Sequence, residues 1–411
     1  MKPYLEYKAS GIDWLGEIPS HWKVSKSSWT FDFIGSGTTP TSSEDDYYNN
    51  GTINWLQTGD LNDGAITSTS KKITQLAVND KGLRIYPKGS LVIAMYGATI
   101  AKTGILDIDT TVNQACCVLL PSDKTNIKFA FYYFNAAKKA LVSFASGGGQ
   151  PNISQSIISN FTFTVPTIEE QEAISGYLDD VTGKIDTLIS EKTAQVEELR
   201  AYRSSLITET VTRGLNPDAP LRDSGIDWLG QIPQHWEAYK LKYFIEISNG
   251  CDPKTDGDVP VYGTGEKPFK TCGESKPGPT VLLGRKGTID TPHWVQEDYW
   301  NVDTAFDTKV KHGYVLRFFW FVANCLDYAK YSSNTAVPSM TQTAYENMII
   351  PVPSLSEQQE IADFLDEKTA KIDRLIDELT KQLDELAEYK QAIITEAVTG
   401  KVDVRDYKPN I

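Results

Sequence analysis

Apolar side chains recur every three or four residues along two segments of the chain, residues 168–212 and 355–399. This spacing is typical of an amphipathic helix and is close to a heptad repeat, and neither segment contains proline. A hydroxyl residue before each segment, with a glutamate three residues later, predicts a capping box. The capping pairs are Thr167 with Glu170 and Ser354 with Glu357. We therefore expect two helices of ~45 residues, roughly 65–70 Å long at 1.5 Å per residue.

The regions that precede these helices carry short apolar runs separated by Gly, Pro, Asn and Asp, which predicts strands joined by turns. The runs are INWL (53–56), SLVIAMYG (90–97), CCVLLP (116–121), TVLLG (280–284) and MIIPVP (348–353). One helix is expected near the end of each region, around 126–144 and 313–330. Each region then closes with a polar loop and an apolar strand that leads into proline.

The chain is internally duplicated. SGIDWLGEIPSHW (10–22) returns as SGIDWLGQIPQHW (224–236), and residues 166–212 align without gaps on 353–399. The first repeat is offset by 214 residues and the second by 187, so the region between them is 27 residues longer in the first half. Similar ends with divergent middles indicate a tandem duplication.

Connectivity then predicts how the helices pair. The first helix leads from the first globular region to the second, so the second helix must run back along it if the two apolar stripes are to meet. The predicted fold class is α+β, with two α/β domains separated by two long antiparallel coiled-coil helices in a pseudo-two-fold tandem duplication. The expected segments are a first domain (1–165), a first helix (166–214), a second domain (215–352), and a second helix with a C-terminal tail (353–411). The tail residues VDVR (402–405) are expected beside YKASGIDWLG (7–16).

The net charge of −14 at first opposes a role in nucleic-acid binding. The acidity is concentrated in residues 166–221 and 353–411, at −6 each, whereas residues 1–165 carry +1 and residues 222–352 carry −3. A near-neutral surface gains little from phosphate neutralisation. We therefore expect weak DNA affinity for the chain alone and a partner that supplies much of the positive surface.

The sequence contains no recognisable catalytic or metal-binding motif. Asn216-Pro217-Asp218 lacks the second proline of an adenine-methyltransferase loop, and the Gly97–Thr103 segment is one residue short of a P-loop. Glu388-Tyr389-Lys390 has the carboxylate-x-Lys pattern of a nuclease, but it falls on a predicted long helix, where a solvent-exposed face is expected. The spacing of the four histidines is not that of a metal site. Five cysteines without a C-x-x-C pair favour free thiols in a reducing cytoplasm, and no apolar run of ~18 residues predicts a membrane span.

Together with the repeated SGIDWLG-x-IP-x-HW opening, three short motifs complete a family pattern: Gly59-Asp60, YGATIAKTG (96–104) and VPSMTQ (337–342). In the order variable region, long helix, variable region, long helix, they resemble the DNA-sequence-specificity subunit of Type I restriction–modification systems. The resemblance spans essentially the whole chain, and the duplicated arrangement is more specific than any single motif.

The resemblance implies a non-catalytic subunit with two target-recognition domains, each reading one half of a bipartite site in double-stranded DNA. It further implies that the long helices dock two methyltransferase subunits, with restriction subunits as candidate further partners. S-adenosylmethionine would then be bound by the methyltransferase partner, and no cofactor or metal is expected in this chain.

Donor-rich side chains in predicted loops are the candidates for DNA contact. In the first domain they are Thr38, Thr39, Lys71, Lys72, Lys102, Gln150, Asn152 and Gln155. In the second domain they are Lys254, Lys267, Lys270, Arg285, Lys286, Asn334, Ser339 and Gln342. Gly284-Arg285-Lys286-Gly287 is the strongest candidate, because glycines let the backbone approach phosphate.

Four residues of the long helices are candidates for a second seam that would bind partner helices. They are Tyr202, Ile207, Tyr389 and Ile394. The repeated Trp and His residues of the domain-opening motif are instead expected to have a packing role rather than to contact DNA. These are Trp14, His21, Trp22, Trp228, His235 and Trp236.

Two other functions stay open on the sequence alone. A cryptic nuclease or a methyltransferase fragment would show activity without partners. A coiled-coil scaffold would be indifferent to DNA even within a complex.

Overall fold

The computed structural model describes residues 2–145, 151–333 and 337–408, and the chain separates into two compact units. The first unit comprises the residues up to Glu191 together with those from Gln382 onward, and the second comprises Lys192–Lys381. Both long helices contribute to both units. The division of the chain into four sequence segments stays a prediction.

The first unit contains a mixed α/β domain. Its strands are β1 (Tyr7–Ala9), β2 (Glu17–Pro19), β3 (Lys23–Lys26), β4 (Phe33–Ser36), β5 (Ile53–Leu56), β6 (Gly64–Ile66), β7 (Lys71–Ile73), β8 (Leu91–Ala94), β9 (Thr103–Leu106), β10 (Thr111–Val112), β11 (Cys116–Leu120) and β12 (Thr162–Val165). Its short helices are α1 (Ser27–Thr30), α2 (Gln75–Lys81), α3 (Ile127–Ala136), α4 (Lys138–Ser143) and α5 (Gln155–Asn160).

The long helix α6 (Ile168–Arg213) follows and leads to the second α/β domain. The strands of that domain are β13 (Leu221–Asp223), β14 (Gln231–Pro233), β15 (Glu237–Lys240), β16 (Ile245–Asn249), β17 (Val259–Tyr262), β18 (Lys270–Cys272), β19 (Thr280–Gly284), β20 (His293–Val295), β21 (Trp300–Asn301), β22 (Ala305–Val310) and β23 (Ile349–Val352). Its helices are α7 (Leu316–Ala323) and α8 (Gln342–Asn347), and α9 (Leu355–Val398) is the second long helix.

The two domains share a sheet plan although their sequences diverge, and the larger sheet of the first domain has one additional strand, β6. The larger sheet has the order β4-β11-β8-β9-β6 in the first domain and β16-β22-β19-β20 in the second. The smaller sheet has the order β10-β5-β7 in the first and β21-β17-β18 in the second, with one parallel and one antiparallel pairing in each. The apolar faces of α3 and α7 cover the sheets and supply much of each core.

The long helices pair antiparallel within each unit. Lys390 Nζ lies 2.6 Å from Asp186 Oδ1 in the first unit, and Arg203 Nε lies 2.7 Å from Asp373 Oδ1 in the second. At the 187-residue offset of the repeat, these are the same ion pair in two copies. The predicted fold class, with its long helices and tandem duplication, is confirmed.

Several local predictions differ from the structure. The helix expected over 126–144 is divided at Ala137 into α3 and α4, and the helix expected over 313–330 is only eight residues long. Two helices of six residues, α5 and α8, occupy segments that were expected to be loops. Ser154 and Thr341 cap them by accepting a backbone N–H, a local bond that stabilises a helix too short to show periodicity.

The first unit brings the N-terminal segment and the C-terminal tail together. The Asp403 N–H donates to the Lys2 carbonyl at 2.9 Å, and Lys401 Nζ donates to the Glu17 carbonyl at 2.6 Å. The tail therefore lies beside the N-terminal segment, and these two contacts are made at Lys2 and Glu17, on either side of residues 7–16. None of the described helices is long and apolar enough to cross a membrane.

Candidate nucleic-acid interface

Backbone hydrogen bonds place the turn after β8 and the turn after β19 at the same point of the two domains. The carbonyl of Met95 accepts the N–H of Ile153 at 2.7 Å, and the carbonyl of Arg285 accepts the N–H of Met340 at 2.9 Å. Gly97 lies two residues after Met95 and Gly287 lies two residues after Arg285, and both have a left-handed backbone, with φ of 81° and 86°. The two turns can therefore be compared residue by residue.

Within these turns, Tyr96 and Lys286 occupy the same position. Tyr96 forms an isolated bridge with Asn152, and Lys286 forms one with Ser339. Two candidates named from the sequence, Asn152 and Ser339, thus hold equivalent places beside the turns. The first domain presents a partly exposed tyrosine where the second presents an exposed lysine. The shared backbone thus carries a different side chain at this position in each domain.

In the second domain, the candidate residues of three segments converge. The turn at Arg285 and Lys286 donates both backbone N–H groups to the Thr304 carbonyl, at 2.7 and 3.4 Å. The N–H of Gly287 donates to the Pro338 carbonyl at 2.9 Å. This bond ties the Arg285–Gly287 turn to the segment that carries Ser339.

The β17–β18 hairpin reaches the same surface. A Cβ added at Gly287 would lie 3.7 Å from Thr264 Oγ1, so the hairpin and the turn are in close proximity. Lys267 and Lys270 lie on this hairpin with exposed side chains. The hairpin and the Arg285–Gly287 turn therefore form one basic face of the second domain.

The remaining candidates of the second domain are placed less closely together. The backbone N–H of Lys254 donates to Glu274 Oε1 at 2.7 Å, and its side chain is exposed. Gln342 is the first residue of α8 and donates to Glu346 Oε1 at 2.8 Å, so the expectation that it lies in a loop is wrong. Asn334 lies outside the described residues.

In the first domain, Gln155 joins two candidate segments. Its Nε2 donates to the Ile34 carbonyl at 3.0 Å, and its Oε1 accepts the Ser36 hydroxyl at 3.2 Å. Thr38 and Thr39 follow Ser36 after one intervening residue, Gly37, so they lie near the start of α5. Gln155 is the first residue of α5, so the expectation that it lies in a loop is wrong. Gln150 lies outside the described residues.

The lysines of the first domain lie in regular structure and in a short turn. Lys71 and Lys72 are exposed residues of β7, where loops were expected, and Lys102 is partly exposed in the turn that precedes β9. The strand register pairs Lys71 with Trp55 and pairs Lys270 with Val261 in the equivalent sheet of the second domain. Lys71 and Lys270 therefore occupy the same position in the two domains.

Sequence reasoning missed two residues on these faces, Tyr96 and Phe269. Phe269 immediately precedes β18, and 59% of its surface is exposed. Tyr96 could have been found by aligning the strand-turn-glycine pattern of 91–97 with that of 281–287. Phe269 has no such signal, because the equivalent residue in the first domain is Ser70.

The repeated His-Trp motif packs against the first turn of the long helix. His21 Nε2 lies 3.0 Å from both carboxylate oxygens of Glu170, and Trp22 Nε1 donates to Glu170 at 3.4 Å. Glu170 also forms the predicted capping box with Thr167. The motif thus fixes the domain to α6, which agrees with the packing role expected for it.

The same motif repeats in the second unit. His235 Nε2 lies 2.8 Å from Glu357 Oε1, and Trp236 Nε1 donates to that oxygen at 3.2 Å. Burial disfavours the charged carboxylate of Glu357, but hydrogen bonds from His235, Trp236 and Ser354 outweigh burial and lower its pKa. The carboxylate is therefore the form that links the domain to α9.

A buried glutamine one residue later completes each junction. Gln171 Nε2 donates to the carbonyls of Lys124 and Pro166 at 2.9 and 3.1 Å, and its Oε1 accepts the Asn126 N–H at 2.8 Å. The contacts with Lys124 and Asn126 lie just before α3, and the contact with Pro166 lies just before α6. The orientation of the α/β domain on its helix is thus set by hydrogen bonds as well as by apolar packing.

The four candidates for partner binding differ in exposure. Tyr202 and Tyr389 are equivalent in the repeat, and each exposes 58% of its surface. Ile207 and Ile394 are also equivalent, but they are buried in the cores of the second and first units. A seam for a partner helix can therefore include the tyrosines without any rearrangement, whereas the isoleucines are covered.

The described residues contain no group of three or more His, Cys, Asp or Glu side chains that could hold a metal ion. All five cysteines are free. Burial raises the pKa of the Cys117 thiol to about 12, and burial likewise raises the pKa of Cys325 to about 11. These two thiols therefore stay protonated and unreactive at neutral pH.

A family model described as "Type I restriction modification DNA specificity domain" matches residues 19–198 and 233–387. The two matches fall on the two halves of the internal duplication, and together they cover most of the chain.

Named relatives extend this similarity. The chain is 24% identical over 424 aligned positions to the "Type I restriction enzyme MjaVIII specificity subunit" of Methanocaldococcus jannaschii, covering 95% of both chains. It is 23% identical over 375 positions to the EcoprrI specificity subunit of Escherichia coli, covering 85% of this chain and 87% of the relative.

Solved structures share the fold. A chain from a structure of a type I R-M system superimposes with a TM-score of 0.73 at 16% identity, covering 94% of this chain and 99% of that one. The HsdS subunit of Thermoanaerobacter tengcongensis gives a TM-score of 0.51 at 17% identity, covering 94% and 98%.

Proposed function

The chain belongs to the family of Type I restriction–modification DNA specificity proteins, and on that basis we propose that its two α/β domains read the two halves of one bipartite DNA site. The observation that carries this proposal is the pair of equivalent turns at Tyr96 and Lys286. The same backbone frame presents a different side chain in each domain, so each domain can select a different set of base pairs. Lys71 and Lys270 are equivalent lysines, and each can contact a phosphate of the half-site that its domain reads.

The basic face of the second domain supports direct readout. Arg285 can donate two hydrogen bonds to the O6 and N7 atoms of guanine, and Lys286, Lys267 and Lys270 can contact guanine or phosphate. Ordering the backbone of the turn costs little when DNA binds, because the Arg285 N–H already donates to the Thr304 carbonyl, and the side-chain Nη1 donates to the Asp303 carbonyl at 3.1 Å. In the first domain, Tyr96, Asn152 and the threonines after β4 would take the corresponding role.

The chain is a recognition component, and other subunits supply the chemistry. We propose that two methyltransferase subunits dock along the long helices, with Tyr202 and Tyr389 as equivalent contacts. These subunits would bind S-adenosylmethionine and transfer its methyl group to adenine. Restriction subunits would join the same assembly in the cytoplasm. The acidic long helices match this division, since the DNA-facing charge then comes partly from the partners.

Adenine-methylation mapping by single-molecule sequencing tests the proposal. One host carries this gene with its neighbouring methyltransferase gene, and a control host lacks only this gene. We expect one bipartite motif with an unread gap, present only when the gene is present. Replacing residues 1–165 with another recognition domain should change one half of the motif and leave the other half intact. Identical methylation in the two hosts would contradict the proposal and favour a scaffold.

A further inference from the structure

Phe269 is an exposed aromatic side chain on a fixed part of the second recognition domain. It lies at the end of the β17–β18 hairpin, and 59% of its surface is accessible to solvent. Its backbone N–H donates to the Val261 carbonyl at 3.1 Å, which continues the pairing of the two strands. The ring is therefore presented to solvent from a hydrogen-bonded strand end.

The surroundings of the ring are basic. Lys270 Nζ lies 5.5 Å from the ring centroid of Phe269. A Cβ added at Gly263 would lie 3.8 Å from the ring and 3.1 Å from Thr304 Oγ1. Because Thr304 accepts the N–H of Arg285, the ring belongs to the same face as the Arg285–Gly287 turn.

The charge of the hairpin favours a polyanion over an apolar protein partner. Between Gly263 and Lys270 the sequence carries two lysines, Lys267 and Lys270, and one acid, Glu266. An aromatic ring with lysines on both sides suits a groove of DNA, where the lysines meet phosphates and the ring meets a base edge.

We propose that Phe269 contacts the C5-methyl group of a thymine in the half-site that the second domain reads. This inference rests on the proposed function and assigns one base contact within it. The thymine methyl is the apolar group that the major-groove edges of the four base pairs present, and apolar side chains recognise it by contact. Phe269 discriminates thymine from cytosine, which lacks the methyl group.

The first domain lacks this reader. By the strand register, the residue equivalent to Phe269 is Ser70, whose N–H donates to Asp60 Oδ1 at 3.0 Å. A serine in that place offers no ring to a methyl group. The contact is therefore confined to one half-site, and this asymmetry gives the experiment an internal reference.

The test uses the chain in complex with its methyltransferase subunits and duplexes that carry the mapped motif. Each thymine of the second half-site is replaced in turn by deoxyuridine, which removes only the methyl group. At one thymine we expect about fourfold weaker binding at fixed salt, the factor that corresponds to ~0.8 kcal/mol for one buried methylene-sized group. Phe269→Ala should bind the thymine and uracil duplexes equally, and Phe269→Leu should keep part of the discrimination.

Tyr243→Ala is the matched control, because Tyr243 is an aromatic residue of the same domain with 58% of its surface exposed. It should keep the fourfold ratio. The inference is overturned if the second half-site contains no thymine, if no uracil substitution weakens binding, or if Phe269→Ala keeps the ratio. In those cases a gene-dependent bipartite motif would still support the proposed function, whereas absence of the motif would contradict the proposed function itself.

Discussion

At the scale of single residues, the identities between the two copies correspond to shared contacts. Gln358 repeats the bonds of Gln171: its Nε2 donates to the carbonyls of Gly313 and Pro353 at 3.3 and 2.9 Å, and its Oε1 accepts the Val315 N–H at 2.8 Å. A glutamine with no exposed surface must satisfy its amide inside the protein. Its repetition in the sequence therefore marks a structural junction.

Gln358→Ala should destabilise the second unit by about 2–3 kcal/mol, because it removes the hydrogen bonds that the buried amide makes with the Val315 N–H and with the carbonyls of Gly313 and Pro353. The measurement is the free energy of unfolding of the full chain in denaturant, followed by a probe in the second unit. Gln359→Ala is the matched control, since Gln359 is exposed and its side chain donates to Asp363 Oδ1, one turn away on the same helix, at 2.8 Å. It should change stability by less than about 0.5 kcal/mol. Equal effects of the two substitutions would contradict the role of Gln358.

The candidate DNA contacts show where prediction at this scale ends. The sequence identified lysines and amides by their chemistry, but it could not align Lys71 with Lys270, because the two variable regions share too little sequence. Their equivalence depends on which residue of one strand lies opposite which residue of its neighbour. That register is set by packing of the whole sheet, so only the structure reveals it.

At the scale of elements, the long helices were predictable and the short ones were not. A 46-residue helix shows many turns of apolar spacing, and its capping box lies in the sequence that precedes it. The six-residue helices α5 and α8 complete fewer than two turns, so no periodicity distinguishes them from loops. Their Ser and Thr caps were the available signal.

The equivalence of β7 and β18 predicts matched losses of DNA affinity. Lys71→Ala and Lys270→Ala should each weaken binding of the assembled complex at low salt. Each should also reduce the slope of log affinity against log salt by about one, because each would remove one of the proposed phosphate contacts. Titrations of a fixed duplex at several salt concentrations measure both quantities.

Lys139→Ala is the control for these lysine substitutions, because Lys139 is an exposed lysine of α4, on a helix that carries none of the candidate DNA contacts. It should leave the slope unchanged. If Lys71→Ala and Lys270→Ala changed the methylated motif while keeping the slope, the two lysines would be base readers, and their assignment to phosphate would be wrong.

At the scale of the whole molecule, the duplication was the most informative property of the sequence. The 214- and 187-residue offsets predicted two equivalent domains and two equivalent helices before any contact was known. The same reasoning predicted that the tail returns to the N-terminal segment. The net charge of −14 was misleading about DNA binding, because it adds the charges of the acidic helices to those of a basic face such as the one that Lys267, Lys270 and Arg285 form.

The tail should act on the first unit alone. Val404 is buried there with 1% of its surface exposed, and the ring of Tyr407 lies 4.8 Å from that of Tyr177. Removing residues 401–411 should therefore speed amide hydrogen exchange in β2 and in the first turns of α6, because both lose packing and hydrogen bonds that the tail supplies. Exchange in β17, β19 and β22 of the second unit should stay unchanged.

Lys408→Ala alters an exposed residue of the same tail and should leave exchange unchanged throughout the described residues. The comparison within one molecule is decisive, since the second unit serves as the reference for the first. Faster exchange in both units after truncation would mean that the tail stabilises the chain globally. Faster hydrogen exchange in the first unit alone would mean that each recognition domain keeps its own stability. Replacing one recognition domain without affecting the other requires this independence.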